Sequence, residues 1–265
     1  MATDSTLTPP GPTRFLGPAR ALLDRLEEQA DAIGRVATAC SDAIAAGGLV
    51  HLFGTGHSRI PVEEMFPRYG SYPGFNPIIE LSMTFHTQVV GSNGQRQAMF
   101  IERMPGLAEA ILSNFELRPT DVMIVFSASG LSAVPIEMAL GARARGLIVV
   151  AVTSVAQSTA GTPRHEAGRL LDNADIVLDL GTPAADALVT IDGLDTPVAP
   201  GSTIAAVAIV NEIKAQTAAL LVERGAMPPV ITSAAVVGEE ASARLFNSAY
   251  AEHARRYARS LRGAA

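Results

Sequence analysis

Two short segments gather the glycines, hydroxyls and backbone donors that hold an oxyanion. The first is Gly54-Thr55-Gly56-His57-Ser58, which ends an apolar run and leads at once into a helical stretch. The second is Ser127-Ala128-Ser129-Gly130-Leu131-Ser132, directly after the run Val122–Phe126. In a parallel sheet, a glycine-rich turn between a buried strand and a helix places N–H groups at the crevice, where an anion sits without a cationic side chain. Ser127, Ser129 and Ser132 add hydroxyl donors, which suits a phosphate monoester, and His57 offers a further donor. Taken alone, the first segment also reads as a tight turn between strand and helix. Neither segment has a Walker lysine or the Gly-x-Gly-x-x-Gly spacing, which disfavours NTPases and dinucleotide enzymes.

Two glutamates are the candidate proton carriers. Removing the proton α to a sugar's open-chain carbonyl needs a base at that carbon, and a partly desolvated glutamate with a raised pKa is a common solution. Glu64 is the first such group, with surface charge as its alternative reading, while its neighbour Glu63 points elsewhere on a helix. Glu102, in Met99-Phe100-Ile101-Glu102-Arg103, reads either as a salt bridge to Arg103 or Arg96 or as a carboxyl poised in a pocket, with Glu109 as the fallback. His51 and His86 read as satisfied residues near strand ends. The five histidines show no metal-ligand spacing with carboxylates, so neither a metal nor another cofactor is expected.

The elements that must position these groups follow from periodicity. Apolar residues from Leu22 to Ile44 recur every three or four positions, predicting one long amphipathic helix over 15–46. Its stripe serves either its own sheet or a second subunit. Apolar runs follow at Leu49–Phe53, Ile78–Leu81, Val122–Phe126, Leu147–Val152 and Ile176–Leu180, separated mostly by helical stretches. Such alternation predicts an α/β fold, a doubly wound, mostly parallel five-stranded sheet flanked by helices. Gly181–Gly201 reads as a long loop holding a short hairpin, followed by a helix from Ser202 to about Glu223 with the polar residues Asn211, Glu212 and Lys214. A last charged helix spans Gly238 to Leu261, and the organisation expected is a leader over 1–14, a main domain over 15–225 and a helical extension over 226–265.

Composition narrows the function classes. The formal charge of −6 over 265 residues gives no basic field for nucleic acid. Cys40 is the only cysteine, so no intrachain disulfide or cysteine zinc pair is possible, which fits a reducing compartment. The start of the chain lacks the charge and apolar block of a signal peptide, and the apolar stretches are strand-length, short of the roughly 20 residues of a membrane span. A cytoplasmic protein with no membrane partner is expected.

The two turns, over 51–58 and 126–132, resemble those of the sugar isomerase domain family across about 15–223. Gly54 to Ser58 followed by Glu63-Glu64 and Arg68-Tyr69 is similar to phosphoheptose isomerases, whereas Ser127-Ala128-Ser129-Gly130 and Pro200-Gly201-Ser202-Thr203 look like N-acetylmuramic acid 6-phosphate etherases. The resemblance implies that Ser127, Ser129 and Ser132, with Thr55 and Ser58, hold a sugar phosphate, that Glu64 and Glu102 act as acid and base, and that the chain forms a homodimer or homotetramer. The chain departs from both relatives: it has Leu131-Ser132-Ala133 where etherases carry Arg-Thr-Pro, lacks their lysines after Gly-Ser-Thr, and offers Glu212 where the isomerases carry a late histidine. The etherase side implies a lyase eliminating across C2–C3 of an N-acetylhexosamine 6-phosphate, with water in place of lactate as leaving group. The isomerase side implies aldose–ketose isomerisation. A non-catalytic phosphosugar sensor is the third expectation.

Overall fold

The structure, a computed structural model, describes residues 13–84 and 94–261. Most of the expected leader, and His86, lie outside the described residues. In chain order the helices are α1 (Leu16–Glu27), α2 (Ala30–Ala45), α3 (Ile60–Met65), α4 (Gly94–Ile101), α5 (Leu107–Leu112), α6 (Ala133–Ala144), α7 (Val155–Ala160), α8 (Ser202–Glu223), α9 (Ala234–Val237) and α10 (Glu239–Ala258). The strands are β1 (Val50–Gly54), β2 (Phe75–Ile78), β3 (Val122–Phe126), β4 (Ile148–Thr153), β5 (Ile176–Asp179), β6 (Ala187–Val189) and β7 (Val198–Pro200).

Strands β1 to β5 form one parallel sheet in the order β2-β1-β3-β4-β5. The central strands are near-continuous runs of Val, Ile, Leu and Phe because helices cover both faces, and two apolar clusters fill the two sides. One cluster joins the sheet to α1, α2 and α8, the other to α5 and α6. The strand order reverses between β1 and β3, the place where open α/β sheets form a crevice beyond the strands' carboxyl ends. Gly54 and Phe126 are register partners in that pair, so the turns that follow them start side by side.

Three sequence expectations are corrected here. The helix expected over 15–46 is two helices, because Gln29 leaves helical geometry and clamps the edge strand. Its side-chain amide donates to Asp179 O at 2.7 Å and its side-chain carbonyl accepts from Asp179 N–H at 2.8 Å, satisfying an edge that would otherwise be open. The second strand lies at Phe75–Ile78 rather than Ile78–Leu81, and residues 81–83 form a single 3₁₀ turn. Pro77 is tolerated because β2 is an edge strand. Thirdly, the apolar stretches are not all strand-length: α8 is long and apolar enough to cross a membrane, but it packs along α2 with Ala205, Ile209, Val210, Ile213 and Leu221 in the core.

The loop after Gly181 does carry a hairpin, β6 pairing antiparallel with β7. The last helix packs on its own chain: Arg256, held by Glu252 at 2.8 Å, is buried and donates to Ile44 O and Gly48 O at the end of α2. Cys40 is fully buried, and that burial pushes its thiol pKa up to about 12. His51 is satisfied inside the sheet by Asn76 at 3.0 Å and Asp121 at 3.4 Å. Burial alone would raise the Asp121 carboxyl, but the bonds from His51 and from the Leu49 and Arg118 N–H groups outweigh it and hold the carboxyl below its usual range.

Candidate functional site

The two turns open onto one cleft of about 250 Å³ at the reversal point of the sheet. Its walls are His57 and Ser58 from the first turn, Ser127 and Ala128 from the second, and Ser202 and Thr203 from the start of α8. That volume sits just below the roughly 300–1,000 Å³ usual for small-molecule sites, which fits a phosphorylated monosaccharide.

Backbone geometry explains the glycines. A Cβ on Gly54 would lie 2.2 Å from Ser58 O, so the chain can fold back over the end of β1 only with hydrogen at that position. Gly130 has a φ of 62°, in the left-handed region, and a Cβ there would press against Thr153 and Leu170. The second turn spends its carbonyls on the protein body: Ala128 O accepts from Ser154 N–H, Gly130 O from Leu170 N–H and Leu131 O from Arg164 N–H. Two of its N–H groups are used as well, Ser127 N–H on Val152 O and Gly130 N–H on Ser127 Oγ, so donors for an anion are to be sought among the others. Ser127 Oγ accepts from Gly130 N–H at 3.1 Å, bracing the turn with the hydroxyl that lines the cleft.

Glu102 ties the turns together. Its carboxylate accepts from Thr55 Oγ at 2.6 Å and from Ser132 Oγ at 2.9 Å, one hydroxyl from each turn, while its backbone carbonyl accepts from Val134 N–H at the start of α6. Both hydroxyls are buried and each has a single proton, so in this arrangement Thr55 and Ser132 serve Glu102. Of the expected site residues, His57, Ser58 and Ser127 line the cleft, whereas Thr55, Ser129, Ser132 and Glu102 are not among the residues of its wall. Ser129 is half-buried in the second turn, and Gly54, Gly56 and Gly130 act through backbone shape.

Glu64 lies elsewhere. It lines a separate groove with Glu63, Arg68, Tyr69, Phe246 and Tyr250. Its carboxylate is paired with Arg68 and accepts from Asn211 Nδ2 at 2.9 Å, and Lys214 Nζ donates to its backbone carbonyl at 3.0 Å. Burial alone would raise this carboxyl, but the Asn211 bond and the Arg68 and Lys214 charges prevail and hold it below its ordinary value. The buried Lys214 ammonium is itself pushed down by desolvation, which the Glu64 charge only partly offsets. Asn211 and Lys214 thus hold Glu64 and are not among the residues that line the cleft of the two turns.

Sequence reasoning missed Gln95, Asp186, Ser202 and Thr203 as cleft residues. The run Pro200-Gly201-Ser202-Thr203 carried the signal for two of them. Asp186 had none, lying in a loop without periodicity.

A family model described as SIS domain matches residues 14–154. The chain belongs to the SIS domain family, a family of phosphosugar-binding domains. A UPF0309 protein of Streptomyces coelicolor is 37% identical over 227 residues, covering 85% of this chain and 89% of that protein. A UPF0309 protein of Geobacillus thermodenitrificans is 35% identical over 228 residues, covering 86% and 89%. Among solved structures, a phosphoheptose isomerase from Neisseria gonorrhoeae aligns with a TM-score of 0.47 at 14% identity, covering 77% of this chain and 94% of that one. The SIS match spans the first turn, Glu64, Glu102 and the second turn; the cleft wall formed by Asp186, Ser202 and Thr203 lies beyond it.

Proposed function

We propose that this SIS domain binds a sugar phosphate in the cleft between the two turns and that Glu102 moves the proton α to the sugar's carbonyl carbon. The observation that supports this most is the carboxylate shared by Thr55 and Ser132, because it places one candidate base at the junction of both phosphate-type turns. Ser58 and Ser127, with the N–H groups of the second turn, hold the phosphate. A carboxylate accepting two hydroxyl bonds still has lone pairs for a third proton donor.

Of the reactions that share this step, isomerisation is the better supported. Elimination across C2–C3 of an N-acetylhexosamine 6-phosphate needs a second group to protonate the leaving C3 oxygen, and Glu64 faces another groove. In aldose–ketose isomerisation one carboxylate takes the C2 proton, O1 and O2 exchange a proton in the enediol, and the same carboxylate returns its proton to C1. The site acts on the free sugar phosphate, in a homodimer or homotetramer.

The test is incubation of the full chain with hexose, heptose and N-acetylhexosamine phosphates in deuterated water, followed by NMR. Deuterium at C1 of a ketose product is expected. Glu102→Gln is expected to bind within a few-fold of the parent and lose roughly 10²–10⁴ in rate, the usual range for a positioned acid–base group. A vinylic proton with loss of water would replace isomerisation by elimination, and binding without exchange in the parent protein would make the chain a sensor.

A further inference from the structure

The wall of the cleft opposite the two turns carries a negative charge that no part of the proposed chemistry uses. Asp186 ends the loop before β6 with a φ of 64°, in the left-handed region, where aspartate is one of the few side chains tolerated. Two backbone bonds fix it there: Asp186 N–H donates to Pro183 O at 2.8 Å and Asp186 O accepts from Gly201 N–H at 3.0 Å. The hairpin pairs Ala187 with Pro200, which brings the preceding carboxylate over the first residue of α8. There Asp186 Oδ1 accepts from Ser202 N–H at 2.9 Å and Oδ2 from Ser202 Oγ at 2.7 Å.

The N-terminus of a 22-residue helix is a natural seat for an anion, and here it opens into the cleft through Ser202 and Thr203. A carboxylate of the chain itself already holds that seat. Gly201, at the cap position, has no side chain to cap α8, because a Cβ there would lie 2.9 Å from Leu188, and the acceptor comes instead from a loop 16 residues away that also lines the cleft. Among the described residues lining the cleft there is no lysine or arginine to neutralise it.

We infer that Asp186 is a specificity-determining residue that lets the cleft accept one anionic group and turns away a second. This rests on the phosphosugar reading and refines it: the ligand carries a phosphate at the turns and a hydroxyl, amide or amine toward Asp186, not a carboxylate or second phosphate. A second anion near ~6 Å from Asp186 in a partly screened cleft loses on the order of tenfold or more in affinity.

Calorimetric titration of the full chain with N-acetylglucosamine 6-phosphate and with its 3-O-lactyl ether, N-acetylmuramic acid 6-phosphate, tests this. The parent is expected to bind N-acetylglucosamine 6-phosphate, which lacks the second anion, at least about tenfold more tightly. Asp186→Asn keeps a side chain that tolerates a positive φ and accepts from Ser202 N–H, so the fold is retained, which a melting curve checks. It is expected to cut that preference by about fivefold or more. The preference is the decisive readout, because a purely structural role for Asp186 and the bulk of the lactyl group both leave it the same in parent and variant. An unchanged preference in Asp186→Asn, or a parent that binds the ether as well as N-acetylglucosamine 6-phosphate, overturns the inference while leaving phosphosugar binding intact. Failure of the parent to bind either of these sugars overturns the inference, and failure to bind any hexose, heptose or N-acetylhexosamine phosphate removes the phosphosugar reading with it.

Discussion

Glu64 and Glu102 are both glutamates that the sequence offers as proton carriers, yet their surroundings are opposite in kind. Glu102 is held by two neutral hydroxyls, one from each turn. Glu64 is held by a guanidinium and an amide, with a buried ammonium on its backbone carbonyl. A carboxylate surrounded by cations is fixed in its charged form and has little tendency to take a proton, whereas hydroxyls orient a carboxylate without a full positive charge. A sequence identifies which carboxylates are available; which partners hold each of them is set only by the folded chain.

The comparison breaks most severely at the hinge of the first turn. In Gly54→Ala the new Cβ meets backbone, Ser58 O at 2.2 Å and Ser58 C at 2.7 Å, and neither moves without opening the turn. A loss of about 3 kcal/mol or more in unfolding free energy is expected by urea denaturation, with sugar-phosphate affinity falling more than about tenfold because His57 and Ser58 shift. Gly17→Ala in α1 is the control: its Cβ meets nothing within 4 Å, and a neutral to slightly stabilising effect is expected.

Next in size is the removal of the shared carboxylate. Glu102→Ala leaves the buried hydroxyls of Thr55 and Ser132 without their acceptor, at a cost of about 1–3 kcal/mol. Thr55→Val removes one donor from the same junction, so the double variant is expected to lose less than the sum of the single losses, by about 0.5 kcal/mol or more. Additive losses in a urea-denaturation cycle would mean that Glu102 does not join the turns as a unit.

The parts that were legible in the sequence are those governed by local rules. Buried parallel strands show as apolar runs, so Val122–Phe126 matches β3 residue for residue. The glycines of both turns stood out because backbone shape admits little else there. What was not legible depends on contacts across the chain. Glu102 bridges residues 47 and 30 positions away, and no local spacing encodes that. Gln29 breaks the first helix by clamping Asp179, 150 residues on, so helical periodicity runs through the break unmarked. Asp186 reaches Ser202 only because a three-residue strand pairs with another, too short to show a period.

The smallest effect concerns Glu64 and sharpens the comparison most directly. Its folded pKa lies below the ordinary value of 4.5, so its contribution to stability is present above that value and is lost as pH falls through 4.5 toward the folded pKa. Glu64→Gln is therefore expected to lower the melting temperature modestly at pH 7, where the ion pair with Arg68 is intact, and the gap between variant and parent is expected to narrow as pH falls below about 4.5. The variant also leaves the buried Lys214 without its compensating charge, which shows as a Lys214 ammonium that loses its proton at still lower pH. Sugar-phosphate binding and proton exchange are expected to be unchanged, because the groove that Glu64 lines is not the cleft of the two turns. Binding with exchange abolished in Glu64→Gln would reverse the comparison: Glu64 would then be the group that meets the substrate, and the cationic cluster around it would be part of the reaction site.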